Sequence, residues 1–227
     1  MITISERLQQ VWQRIRAAEA AYGRAPGSVG LLAVSKTHPA KAILELARQG
    51  QRAFGENYLQ EALPKLAQLA GQGLEWHCIG PVQGNKTRAV AEHFAWCHSL
   101  DRERIALRLD AQRPISLPPL NVLIEVNVDA EASKSGLPAD EVPVLAAVVA
   151  QLPRLRLRGL MALPAPIAGF EAQRLAFRRV RETFEALKSS GLAVDTLSMG
   201  TSSDLEAAIA EGATLVRIGT ALFGPRG

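Results

Sequence analysis

Cysteine is nearly absent: Cys78 and Cys97 are the only two in 227 residues. A disulfide scaffold needs more, and no C-x-x-C pair offers a zinc site, so both classes are excluded. Aromatic residues make up only 5% of the chain. They do not interleave with basic residues, as they do where single strands stack their bases. Long hydrophobic runs are missing too. The longest charge-free apolar stretches, such as Val142–Pro153, fall short of the ~18 residues a membrane span requires. The opening segment MITISERLQQVWQRI has no basic stretch followed by an apolar run, so no secretory signal is expected and the expected location is cytoplasmic.

An excess of one charge is also lacking. The 26 basic and 22 acidic residues leave a formal charge of only +4. The tightest basic cluster, Arg178, Arg179 and Arg181, falls inside a helical pattern and reads as a solvated face. Neither nucleic acid nor membrane is expected as a partner. The four histidines, His38, His77, His93 and His98, show no ligand spacing such as HExxH, so no metal site is expected. His77 and Cys78 sit in one apolar run and read as a hydrogen-bonded interior residue and as packing.

What the chain does have is apolar content, 48% against 21% charged. That rules out disorder and allows a sizeable core. After an amphipathic opening helix, Ser5–Tyr22, short apolar runs alternate with longer segments of helical period. The runs are Leu31–Ser35, Arg52–Phe54, Trp76–Ile79, Ala95–Ser99, Leu120–Val126, Leu155–Met161, Val194–Met199 and Thr214–Ile218. The helical segments are Pro39–Gln49, Tyr58–Ala70, Lys86–His93, Arg102–Ala111, Ala139–Gln151, Phe170–Ser189 and Asp204–Glu211. Alternation of this kind gives parallel strands, and continuous apolar strands such as LNVLIEV are expected where both faces are covered. An open doubly wound sheet would carry a glycine fingerprint after its first strand, and AVSKTHP is not one. The expectation is α/β: a single (β/α)8 TIM-type barrel over residues 1–227 with an extra N-terminal helix.

In such a barrel the site forms at the carboxyl ends of the strands. Lys36 follows LLAVS directly, where its ammonium would be partly desolvated. Desolvation favours the neutral amine, which attacks carbonyls and forms Schiff bases. The plain alternative is a salt bridge to Glu56 or Glu125. The segment SMGTSSD, residues 198–204, opens a helix. Its backbone N–H groups and hydroxyls suit a phosphate, and simple capping by Ser202 or Ser203 with Glu206 would use the same residues. RIGTALFG offers a second small-residue turn at Gly219 and Thr220. Arg217, inside LVRIG, needs a partner, either a carboxylate or the ring nitrogen of a cofactor.

The segments AVSKTHP, FGENYLQE, HCIGPVQGNK, EVNVDAEASKSG, RGLMALPAP and LSMGTSSDLEAAIAEGATLVRIGTALFG span nearly the whole chain. Together they resemble the pyridoxal phosphate homeostasis family, whose barrel is similar to the N-terminal domain of alanine racemase. The resemblance implies pyridoxal 5′-phosphate (PLP) held as a covalent aldimine on Lys36. It implies that Asn57 and Met199 lie against the cofactor and that Gly200, Thr201, Ser202, Gly219 and Thr220 cradle its phosphate. It also implies that Arg217 faces the pyridine nitrogen. Such proteins commonly carry Met where Thr201 stands here.

An arginine there keeps its proton, leaving the ring a poor electron sink. Racemases of this type take a second base, a tyrosine, from an extra domain. Here the only tyrosines are Tyr22 and Tyr58. The expectation is therefore a non-catalytic, monomeric PLP carrier acting in homeostasis, with PLP-dependent apo-enzymes as recipients. A PLP-dependent amino-acid racemase is the alternative, and an aldolase-type sugar-phosphate enzyme using Lys36 is a more distant one. Lys86 and Lys134 are candidates for a secondary PLP or phosphate site.

Overall fold

The computed structural model describes residues 2–128 and 135–224. Helices and strands alternate as α1 (Ile4–Ala21), β1 (Gly30–Val34), α2 (Ala40–Arg48), β2 (Ala53–Glu56), α3 (Leu59–Gln68), β3 (Glu75–Cys78), α4 (Thr87–His93), β4 (Trp96–Leu100), α5 (Glu103–Gln112), β5 (Leu120–Val126), α6 (Val142–Val149), β6 (Leu155–Ala162), α7 (Phe170–Ser189), β7 (Thr196–Ser198), α8 (Leu205–Ala210), β8 (Leu215–Ile218) and α9 (Thr220–Phe223). The strands pair in sequence order, all parallel, and β8 returns to β1 to close the barrel. Closure leaves no edge strand, and the helices cover the outside. This is the expected (β/α)8 architecture with its additional first helix.

The first helix starts on a reciprocal cap. Thr3 Oγ1 accepts from Glu6 N at 3.2 Å, and Glu6 Oε2 accepts from Thr3 N at 2.7 Å. Its apolar stripe, Leu8, Val11, Ile15 and Ala18, is buried. The helix packs on α2, α8 and α9, next to the barrel's seam. It is joined there by Arg14, which pairs with Glu206 at 2.7 Å and donates to Ser202 O at 3.1 Å.

The basic cluster on α7 does more than face solvent. Arg178 and Arg181, with Arg174, converge on Glu211, whose side chain is fully buried just after α8. Burial raises the carboxyl's pKa, but the hydrogen bonds from Arg178 and Arg174 outweigh it and hold the group below its ordinary range. Arg179 alone of the expected trio is exposed.

Two register shifts bend the barrel wall. Between β5 and β6, Val122 pairs with Leu157 but Leu123 with Gly159, leaving Arg158 as the extra residue of a bulge. Arg158 uses that position to pair with Asp195 at 2.8 Å and to lie over the Trp96 ring at 4.7 Å. Gly159 has φ +143°, and a Cβ there would stand 2.1 Å from Thr196 O. The bulge therefore requires glycine. Gly159→Ala is expected to cost about 3 kcal/mol or more, since backbone strain and a clash against main chain add. Urea unfolding of the variant checks this. An Ala variant within ~0.5 kcal/mol of the parent would show that the wall can shift to admit a side chain.

Candidate functional site

A cavity of about 920 Å³ opens at the carboxyl ends of the strands. Its walls include Lys36, Asn57, Thr201, Ser202, Arg217, Gly219 and Thr220. These expected residues come from β1, β2, β7 and β8 or the loops that follow them, so barrel closure brings together positions nearly 190 residues apart in the sequence (from Lys36 to Thr220). Two of the expected residues are not in the wall. Met199 is fully buried in the main core, and Gly200 is buried beside it. Lys86 ends a short 3₁₀ turn after β3 and does not line the cavity, and Lys134 lies outside the described residues.

Lys36 is half-buried and leads into a strained turn. Thr37 has φ +65°, an unusual left-handed conformation for a β-branched residue. The turn is held by Glu61 of α3, whose carboxylate accepts from Thr37 N at 3.0 Å, and by His38 N donating to Ser35 O at 3.1 Å. Beneath it, Ser35 Oγ donates to Glu56 Oε1 at 2.6 Å, and Lys65 pairs with the same carboxylate at 2.9 Å. Glu56 is fully buried and engaged by Ser35 and Lys65. The backbone that presents Lys36 is thus pinned from two elements, and strain of this kind persists where the surroundings over-determine it.

The loop after β7 differs from its expected capping. Asp204, not Ser202 or Ser203, is the N-cap residue of α8. Its Oδ1 accepts from both the backbone N and the hydroxyl of Thr201. Glu206 turns away from the loop to meet Arg14, because α1 offers a bidentate guanidinium where a capping box would offer one N–H. Gly200 has φ +95°, and a Cβ there would lie 2.6 Å from Ala208 Cβ. The turn can therefore approach α8 only as glycine. Arg217 N donates to Gly200 O at 2.9 Å, tying the two phosphate-candidate loops together.

Arg217 is 7% exposed yet reaches the cavity wall. Its hydrogen-bond partners among the described residues are not carboxylates. One nitrogen, Nη1, donates to Ser198 O and to Ser198 Oγ at 2.9 Å, and Nη2 donates to Ala162 O at 2.8 Å. Burial lowers its pKa to about 10, with Glu125 and Asp204 opposing the shift. It remains a cation at neutral pH. Asn57 Oδ1, also on the wall, is buried and lacks a hydrogen-bond partner, a condition that calls for a donor from a bound molecule.

Glu125 is a wall residue that sequence reasoning weighed only as a partner for Lys36. Burial, reinforced by the charge of Asp101 and opposed by Arg217, raises its pKa to about 7. Its position at the end of LNVLIEV was the available signal. Cys78 and Cys97 are register partners across β3 and β4 and are both buried thiols. No group of three or more metal-ligating side chains occurs among the described residues. No helix among them is long and apolar enough to cross a membrane.

The alanine racemase N-terminal domain family matches residues 7–227. A pyridoxal phosphate homeostasis protein of Pseudomonas aeruginosa is 61% identical over 226 residues, covering 100% of this chain and 97% of that protein. One from Escherichia coli K12 is 56% identical, covering 100% and 98%. Among solved structures, PipY of Synechococcus elongatus PCC7942 with PLP bound is 37% identical with a TM-score of 0.82, covering 98% of this chain and 100% of that one.

The raised pKa of Glu125 sets a direction for stability against pH. The folded state holds this proton to about pH 7, whereas the ordinary value is 4.5. The contribution is therefore complete below about pH 4.5 and is lost as pH rises through 7. Glu125→Gln is expected to remove up to ~3 kcal/mol of that acid-to-neutral decline in the ligand-free protein. Urea midpoints between pH 4.5 and 8 measure it, and parallel curves for parent and variant would refute it.

Proposed function

Because the chain belongs to the alanine racemase N-terminal domain family, and within it to the pyridoxal phosphate homeostasis proteins, we propose that it is a non-catalytic PLP-binding protein acting in cofactor homeostasis. It works as a monomeric barrel in the cytoplasm, buffering PLP or passing it to apo-enzymes. The observation that carries this reading is the convergence of Lys36, Arg217, Thr201 and Ser202 on one cavity. Those residues fit three of the cofactor's polar features, the aldehyde, the ring nitrogen and the phosphate, and its ring hydroxyl is a fourth.

When bound, PLP supplies an electrophilic carbonyl carbon and a ring able to take up electron density. Lys36 would hold the cofactor through its amine. Thr201, Ser202 and Thr220 would offer hydroxyls to the phosphate, and the orphaned Asn57 Oδ1 would accept from the cofactor. Arg217, fixed by two carbonyls and a serine, would face the ring nitrogen as a donor and keep its own proton. That arrangement binds the ring without protonating it.

Catalysis at the α-carbon of an amino acid needs a base on each face in a racemase. Tyr22 stacks on Phe170 at the end of α1, and Tyr58 is 54% exposed at the start of α3. Neither lines the cavity among the described residues. The chain thus offers binding groups in abundance and no tyrosine in the position a racemase uses.

Lys36→Ala is expected to abolish the borohydride-stable adduct of the PLP-loaded protein and to weaken binding roughly tenfold or more. Peptide mapping after reduction reads the first and equilibrium dialysis the second. An undiminished adduct mapped to another lysine would overturn the assignment. In deuterated water, L-alanine incubated with loaded protein is expected to exchange its α-hydrogen far more slowly than ~1 s⁻¹. Exchange at that rate or faster would establish the racemase reading instead.

A further inference from the structure

A continuous line of side chains crosses the barrel interior. It runs from Glu75, at the start of β3, to Arg217 at the mouth. Glu75 Oε1 lies 2.9 Å from His77 Nε2, and His77 Nδ1 lies 2.9 Å from His98 Nε2. His98 Nδ1 lies 3.1 Å from Ser198 Oγ, which accepts from Arg217 Nη1 at 2.9 Å. Both histidines and Ser198 are buried, while the Glu75 side chain is 49% exposed at the opposite end from the cavity. Stacking fixes the rings: His77 lies parallel to Trp96 with centroids 5.2 Å apart, and His98 meets His77 edge-on.

The proton positions in this line are forced from its two ends. Burial holds both imidazoles below their ordinary pKa, so each is neutral at pH 7. The hydrogen bond with His77, with help from the Arg158 charge, keeps Glu75 ionised and able only to accept. His77 must then carry its hydrogen on Nε2, which leaves Nδ1 as an acceptor. His98 must in turn donate from Nε2 and accept at Nδ1. That acceptor takes the Ser198 hydrogen, which leaves the serine's lone pairs for Arg217, a permanent donor. Every hydrogen points from the mouth towards Glu75.

We infer that Glu75, His77, His98 and Ser198 form a one-way hydrogen-bond relay in which Glu75 is a positioning residue, fixing Arg217 at the mouth from the far end of the barrel. The relay keeps the Ser198 hydrogen turned away from the guanidinium. Without an acceptor-only group at position 75, both histidines can exchange tautomers and the serine can turn. Arg217 then loses one of its three holds. The relay also gives the buried cation a counter-charge reached through aligned dipoles instead of by direct contact.

The test is nitrogen-15 NMR of the histidines in the full chain, with Glu75→Gln, Ser198→Ala and the surface control Glu92→Gln. In the parent, both imidazoles are expected as neutral Nε2–H tautomers. A charged ring, or an Nδ1–H tautomer at either position, would overturn the relay. Glu75→Gln, whose amide can both donate and accept, is expected to give mixed tautomers at His98, two residues beyond the change in the line. An unaltered His98 spectrum would refute the relay, and Glu92→Gln is expected to leave it unaltered.

PLP affinity is expected to fall about fivefold in Glu75→Gln, the weight of one hydrogen bond. A similar fall is expected in Ser198→Ala, and the double variant should be no weaker than the weaker single variant, since both break one unit. Additive losses would overturn the coupling. The affinity arm rests on the binding role proposed above, whereas the tautomer arm does not. A protein with the expected tautomers that binds no PLP would end that role and leave the relay supported.

Discussion

A guanidinium placed inside a barrel has to be neutralised or held. Arg217 is 7% exposed, and no carboxylate among the described residues meets it within ion-pair distance. Removing such a charge from water costs several kcal/mol, which must be offset locally. Here the offset comes from two backbone carbonyls, a hydroxyl, and the nearby but non-contacting charges of Glu125 and Asp204. Because the carbonyls belong to Ser198 and Ala162, the arginine spans the ends of β6, β7 and β8. The phosphate-candidate loop inherits that order through the bond from Arg217 N to Gly200 O. One cation therefore ties together the ends of the last three strands of the barrel and the loop after β7.

The adjoining wall, where β1 pairs with β8, is organised by a second buried charge. Glu56 holds Ser35 and Lys65, and so fixes the end of β1 against β2 and α3. Between these two anchors the chain leaves Lys36 half-buried on a turn whose following residue is held at positive φ. Of the two anchors, Glu56 is not a wall residue, whereas Arg217 reaches the cavity wall with its guanidinium held by two carbonyls and a hydroxyl. The raised pKa of Glu125, driven first by burial, shows what happens to a carboxylate in the same region that has no such side-chain partner among the described residues.

Much of the architecture was legible because its signal is periodic. Strand β5 and helix α7 fall on the expected Leu120–Val126 and Phe170–Ser189, as their apolar patterns are long and uninterrupted. Boundaries moved where local chemistry overrides pattern. Helix α6 begins at Val142 rather than Ala139, which places Pro143 in its first turn, where a missing N–H costs no helical hydrogen bond. Strand β7 shrinks to Thr196–Ser198 because Asp195 N bonds Arg158 O at the bulge and Gly200 ends the strand with a turn. Helix α9, four residues after Gly219, is too short to carry a period and reads as a turn. Most of the site was legible for a different reason: barrels place polar residues just after each strand, so position in the pattern implied position in space. Met199 departs from that logic because it precedes the Gly200 turn and points into the core. The capping of α8 departs because Arg14 lies 192 residues from Glu206 in the sequence. The histidine line was not legible either, since adjacency of His98 and Ser198 arises only when the barrel closes.

Binding and turnover ask different things of the same cavity. Turnover needs groups whose protons move at the operating pH, and such groups sit near pKa 7. In this cavity the carboxyl of Glu125 meets that condition, and the two histidines buried in the barrel interior do not, because burial keeps both of them neutral and their hydrogens are committed along the relay. Arg217 is a donor with no proton to give at neutral pH, and its immobility is enforced from the far side of the barrel. A site built this way spends its polar groups on fixing a ligand's orientation. Release from such a site would require water to hydrolyse the proposed bond to Lys36, returning the aldehyde and the amine with no chemistry at any other carbon. That asymmetry, with rigid donors and few mobile protons, is the physical ground on which a carrier and an enzyme sharing one barrel diverge.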